Sequence, residues 1–182
     1  MLVQMILANG FEETEAIAVA DVLCRLKVDV IAAGLGTLEP IGAHNFTVKT
    51  VVLLEQDLER NYDAVFLPGG MPGATNLLHS AAVLNQVRRV YDNGGVVGAI
   101  CAAPIVLAKA GLLAGKRFTM YPGFEQYLGG LVPSGALAER DGRLVTGKGP
   151  GAVFAFAAQL AAALGISELD IDSVRKAMFI EL

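Results

Sequence analysis

Short apolar runs that break directly into helical spacing constrain this chain more than any other feature of it. Residues 2–7 (LVQMIL) form a run that stops at Asn9-Gly10, and apolar residues then recur at Ile17, Val19, Val22, Leu23 and Leu26, near the helical period. Val28–Ala33 is a second run. Asp63–Leu67 is a third, ending in Pro68-Gly69-Gly70, where backbone amides can be exposed. Val96–Ile100 is a fourth, and it leads straight into Cys101. Helical spacing resumes from Ala81 to Tyr91 and from Ala102 to Leu113, with Pro104 acceptable because it lies in the first turn. Buried strands alternating with helices imply right-handed βαβ crossovers and a mostly parallel sheet covered on both faces.

The rest of the chain fits that plan. Phe46–Leu54 alternates and is rich in β-branched residues, as suits an edge strand or hairpin. A hairpin is expected from Ala136–Glu139 and Leu144–Thr146 around Asp141-Gly142. Gly149-Pro150-Gly151 opens a helix to Leu164, and a last helix is expected from Glu168 to Phe179. At 182 residues, one domain over residues 1–182 suffices, and a composition 54% hydrophobic suits more than one apolar layer.

Charge and composition exclude several function classes. A net charge of −4, with no Lys/Arg cluster, offers phosphate backbones no electrostatic grip, so no nucleic-acid partner is expected. The N-terminal run lacks a basic start and a small-residue cleavage site, and the Ala-rich stretch near residue 155 is too short and Gly/Ala-rich to read as a membrane span. A cytoplasmic protein without membrane attachment is the expectation. Cys24 and Cys101 stand alone in dissimilar contexts, which provides no disulfide framework and no zinc cluster, so no metal is expected.

Cys101 is the candidate reactive group. In VVGAICAAP, the small residues Gly98, Ala99, Ala102 and Ala103 allow a sharp strand-to-helix turn that projects the thiol into a crevice, in the manner of a nucleophile elbow. Amides at a helix start favour a thiolate, so a lowered thiol pKa is expected. In parallel sheets ligands gather beyond the carboxyl ends of the strands, where Gly10, Gly69, Gly70 and Cys101 would all lie. The first loop offers Glu12, Glu13 and Glu15; spacing alone does not choose among them, but a protonated one beside the thiol would donate to the sulfur. Neither His44 nor His79 follows Cys101 at the end of a later strand, which disfavours a Cys-His hydrolase. Cys24, beside Arg25 on a helix, reads as structural or as a subunit contact.

The segments ILANGFEETEA, YDAVFLPGGMPGATNL, GGVVGAICAAP and TGKGPGAVFAFA, in this order and spacing, resemble the ThiJ/PfpI superfamily, and within it the DJ-1-like branch. The resemblance spans nearly the whole chain. It implies a flavodoxin-like three-layer α/β sandwich, a homodimer, Cys101 as the reactive cysteine and Glu15 as its protonated partner. It also implies an oxyanion pocket built from the amides of Gly70 and Ala102 beside Gly69. Activities associated with the branch are cofactor-independent glyoxalase action, deglycation, and redox sensing or protection. The implied substrate is a small reactive carbonyl or a glycated amine, and no cofactor is called for. One departure is Tyr121, which stands where the namesake of the branch has a histidine near the thiol. With an ordinary pKa of about 10, tyrosine can donate a proton but is a poor base at neutral pH.

Overall fold

The computed structural model describes residues 1–180. Its centre is one sheet of seven strands in the order β3-β2-β1-β4-β5-β7-β6. The strands are β1 (Leu2–Leu7), β2 (Asp29–Gly34), β3 (Val52–Leu53), β4 (Ala64–Leu67), β5 (Val96–Ile100), β6 (Ala138–Asp141) and β7 (Leu144–Gly147). All neighbouring pairs are parallel except β6 with β7, the expected hairpin at one edge. The helices are α1 (Glu13–Arg25), α2 (Gly73–Leu78), α3 (Ala81–Asp92), α4 (Pro104–Lys109), α5 (Val153–Ala163) and α6 (Glu168–Ala177). α1 packs on α5 and α5 on α6 over one face, while α2, α3 and α4 pack together over the other. This is the three-layer α/β sandwich expected from the run-and-helix pattern.

The central strands are apolar throughout because both of their faces are covered. Every residue of β4 and β5 is buried, and so is Val3 to Leu7 in β1. Gln4 is the polar exception inside β1. Its side chain donates to Asp57 and accepts from Gln86, so its burial leaves no amide of its own unmatched. Gly98 in β5 admits the ring of Phe156 from α5, which a Cβ at that position would meet at 3.0 Å. Ser80 and Ser167 cap α3 and α6, accepting from Val83 and Asp170.

Two expected elements are shorter than their sequence patterns. Within Phe46–Leu54 only Val52–Leu53 joins the sheet as an edge strand. The preceding residues spend their backbone bonds on the segment just upstream, Val48 to Pro40 and Thr50 to Leu38, which forms an irregular hairpin and leaves Phe46 and Val51 exposed. The helix expected over Ala102–Leu113 is confined to Pro104–Lys109, because Ala102 and Ala103 form the turn out of β5 and Gly111 takes a left-handed φ of 80° just past the end. No described helix is long and apolar enough to cross a membrane.

Candidate active site

Cys101 lies one residue past β5 with φ at +63°, a left-handed conformation that non-glycine residues rarely hold. Both of its backbone polar groups are tied down. The Cys101 amide donates to Gly147 O at 2.9 Å, and its carbonyl accepts from Tyr121 N at 2.8 Å. The strained turn is thus held between the end of β7 and the segment after Met120, and the residue remains 8% exposed. A left-handed cysteine fixed from both sides has the geometry of an elbow at a strand-to-helix turn.

Glu15 is fully buried in the first turn of α1. Its place there depends on Glu12, which caps the helix by accepting from Glu15 N at 2.7 Å. The Gly69 amide donates to Glu15 Oε2 at 2.7 Å, which turns the carboxyl toward Cys101. The approach is close: a Cβ at Gly69 would lie 2.6 Å from Cys101 Cβ, 3.0 Å from Ala102 N and 3.0 Å from Glu15 Oε2. Only glycine fits between the acid and the thiol. Glu15 Oε1 is buried with no hydrogen-bond partner among the described residues, as a protonated oxygen waiting for an acceptor would be.

The two groups set one another's acidity. Burial pushes the Glu15 carboxyl up from 4.5 to about 7, against the downward pull of the Gly69 amide and the Cys101 thiol. Burial likewise pushes the Cys101 thiol up from 9.0 to about 12, and the charge of an ionised Glu15 adds to the rise. The amides of Gly70 and Ala102 face the sulfur and pull the other way. Against the lowering expected from a helix start, burial outweighs the pull of these amides while Glu15 is ionised, so the direction for the thiol is upward. Protonating Glu15 reverses its own part in this, because a neutral acid carries no repelling charge and can donate to the sulfur.

This coupling has a stability consequence. A carboxyl raised from 4.5 to about 7 keeps its proton in the folded protein after the unfolded chain has lost it. The Glu15 contribution is full below its unfolded value, declines as pH rises toward about 7, and is flat above. Cys101, raised toward about 12, stays protonated through that window when Glu15 is ionised. Urea denaturation of Glu15→Gln at about pH 5 and about pH 8 should accordingly lose a decline worth up to about 3 kcal/mol in the parent. An equal decline in both proteins would show that Glu15 does not carry it.

Tyr121 is 46% exposed and reaches Cys101 through its backbone. Its ring packs against Gly149, where a Cβ would meet Tyr121 Cδ2 at 3.1 Å. Gly69 differs from the expectation for it, since its amide serves the carboxyl, whereas the amides of Gly70 and Ala102 serve the sulfur. The other sequence candidates fall elsewhere. Glu13 accepts from His44 N at 2.7 Å and pairs with the exposed His44 ring at 2.8 Å. His79 ends α2 and lines a separate cleft with Asn9 and Asn76. Cys24 is exposed on α1, where partial burial and the charges of Asp21 and Asp29 hold its thiol above the usual range. Glu12, Glu13 and His44 bring three possible metal-ligating atoms within 4.8 Å of one another, but hydrogen bonds already occupy Glu12 and Glu13. Sequence reasoning left Glu12 unassigned among three glutamates at a helix start, and it missed the clamp from Gly147 and Tyr121, whose partners are distant in sequence and leave no local signature.

A mostly parallel α/β sandwich carrying a strained cysteine just past β5, with a buried carboxyl beside it, has a flavodoxin-like architecture with an elbow at the carboxyl end of the sheet. Residues 1–163 match the model of the DJ-1/PfpI family, and the chain belongs to that family. It is 35% identical over 182 residues to protein dj-1beta of Drosophila melanogaster, covering 97% of this chain and 95% of that one. The crystal structure of Drosophila DJ-1beta superposes with a TM-score of 0.92 at 34% identity, covering 100% of this chain and 98% of that one. A glutathione-independent glyoxalase of Caenorhabditis elegans, DJR-1.2, is 32% identical over 152 residues, covering 82% of this chain and 80% of that protein.

Proposed function

We propose that this protein detoxifies reactive carbonyls as a cofactor-independent glyoxalase, converting methylglyoxal to lactate, with deglycation of early adducts as a related use of the same site. The observation that carries this reading is the fully buried Glu15 carboxyl set beside a thiol at a strained elbow. Such a pair shares one proton, and a carboxyl near 7 is suited to giving and taking it at neutral pH. The similarity to a glutathione-independent glyoxalase supports the same chemistry.

In this mechanism the Cys101 thiolate attacks the aldehyde carbon, forming the C–S bond as the carbonyl electron pair moves to oxygen. The amides of Gly70 and Ala102, which face the sulfur, lie beside the oxygen that becomes negative. Glu15 gives its proton to that oxygen and becomes a carboxylate. It then removes the hydrogen from the hemithioacetal carbon, giving an enediol, and returns a proton to the neighbouring carbon while the hemithioacetal hydroxyl proton passes to the former ketone oxygen, so that the ketone becomes a secondary alcohol and the hemithioacetal a thioester. Water cleaves the thioester to lactate and restores the thiol. One water is consumed and no oxidant or reductant is needed. Tyr121 stands as a hydrogen-bond donor at the edge of the site. A cytoplasmic homodimer acting on small carbonyl substrates completes the proposal. The test is lactate formation from methylglyoxal without glutathione, by the parent and by Cys101→Ala; equal rates would dismiss the reading.

A second reading is favoured by the same carboxyl. A sulfinate on Cys101 would accept from protonated Glu15 and from the Gly70 and Ala102 amides, as a redox-responsive protective protein requires. Mild peroxide should then add two oxygens at Cys101 and leave Cys24 untouched, read by peptide mass spectrometry. Equal oxidation at both thiols would count against sensing.

A further inference from the structure

A cleft of about 320 Å³ adjoins the elbow, lying between the Tyr121–Pro122 segment, the Lys148–Ala152 segment and Leu137. Its two main walls are the same two segments that hold Cys101. The Tyr121 wall donates its amide to the Cys101 carbonyl, and the Lys148–Gly149 wall follows Gly147, whose carbonyl accepts the Cys101 amide. No carboxylate lines the cleft, and the one cation, Lys148, directs its ammonium to Gly135 O at 3.1 Å. What remains is an aromatic ring, two prolines, two glycines, an alanine and Leu137, the last 58% exposed although apolar. Larger clefts of about 500 to 590 Å³ occur at Asn61–Asn93 and beneath α6, but none of them includes the thiol or a segment bonded to it.

Resting on the glyoxalase reading, we propose that this cleft is the subsite for the second substituent of the substrate, and that it selects 2-oxoaldehydes with an aryl or branched alkyl group over methylglyoxal. The volume is at the lower end of ordinary small-molecule sites, about 300–1,000 Å³, and a methyl group leaves most of it to water. Each further methylene moved from water into such a site favours binding about four-fold. An aryl ring also suits the Tyr121 face and the proline walls. Because Tyr121 is hydrogen-bonded to Cys101 and Lys148 follows the residue that accepts the Cys101 amide, a substituent seated there would be held near the reacting carbon, which turns binding into selectivity in kcat/KM.

Alkylation of Cys101 tests the subsite without any turnover. Phenacyl bromide and bromoacetone both transfer a ketone-bearing carbon to sulfur and release bromide, and they differ in the group the cleft would take. The phenyl-to-methyl rate ratio at Cys101, read by peptide mass spectrometry and divided by the ratio for glutathione, is expected to be at least about ten. Gly151→Phe fills the cleft from a position whose Cβ meets nothing within 4 Å, and the normalised ratio should fall at least about five-fold. Leu137→Asp, at an exposed position, places a charge in the apolar lining and should lower the ratio similarly should the phenylalanine variant not fold. A parent ratio within two-fold of that for glutathione, or a ratio unchanged in a folded variant, would overturn the subsite. Failure of the lactate assay with the alkylation selectivity intact would remove the glyoxalase reading and leave the subsite standing.

Discussion

Cys101→Ala is expected to lower glutathione-free lactate formation by at least ~10³-fold while leaving the fold in place. Every step of the proposed route passes through the carbon–sulfur bond, so an alanine removes the path itself. Stability should change little, because the side chain is small and the turn is held by backbone bonds to Gly147 and Tyr121 that alanine keeps. The strain of the left-handed φ also persists, since alanine has a Cβ as cysteine has. A melting temperature within a few degrees of the parent, with lactate formation at background, is the anticipated pair of results. Glu15→Gln should lose about 10²- to 10⁴-fold, because the amide can still donate a hydrogen bond to the sulfur but cannot carry a proton between carbons. A Glu15→Gln variant as active as the parent would remove the acid–base role and leave a thiol that acts alone.

Gly70→Ala should be strongly damaging, because the added methyl has no room. Gly70 has a φ of +86°, and a Cβ there would fall 2.4 Å from Glu12 N, 2.5 Å from Gly10 O and 2.6 Å from the carbonyl carbon of Phe11. All three are backbone atoms of the first loop, and none can swing aside as a side chain would. Relief requires separating the loop after β4 from the loop after β1, which breaks the bond from Glu12 N to Gly69 O at 2.9 Å and disturbs the cap that places Glu15. A loss of about 3 kcal/mol or more in urea denaturation is expected, together with loss of selective Cys101 alkylation. Gly115→Ala is the control. Its φ is +70° but nothing lies within 4 Å of the added Cβ, so only the conformational cost of about 1 kcal/mol applies. Equal losses at both positions would mean that backbone conformation matters and the close approach of the two loops does not.

The clash at Gly70 also shows why two loops distant in sequence act as one site. The sheet order sets β4 beside β1 and β5 beside β4, so the loops carrying Glu12–Glu15, Gly69–Gly70 and Cys101–Ala102 emerge together at the carboxyl ends of three adjacent strands. Brought that close, they exclude water from Glu15 entirely, and this exclusion raises the carboxyl into the neutral range. A glutamate in an open loop would ionise well below neutrality and repel a thiolate beside it.

Much of this was legible in the amino-acid sequence. Strand–helix alternation implied the parallel sandwich, because a strand apolar at every position has to be covered on both faces whatever it pairs with. The small residues around Cys101 implied the elbow, because a tight turn out of a buried strand tolerates little else. Choosing Glu15 over Glu12 and Glu13 needed the resemblance to a family, since all three fall within four residues of one another with equal chemistry. Tertiary structure then separated them, since Glu12 caps α1, Glu13 binds the segment at His44, and Glu15 turns inward. It also decided the acidity of the thiol, which local rules put too low. Helix starts act locally and can be read along the chain, but burial is set by what other segments fold over the group, and here β7, the Tyr121 segment and the Gly69 loop together close over Cys101.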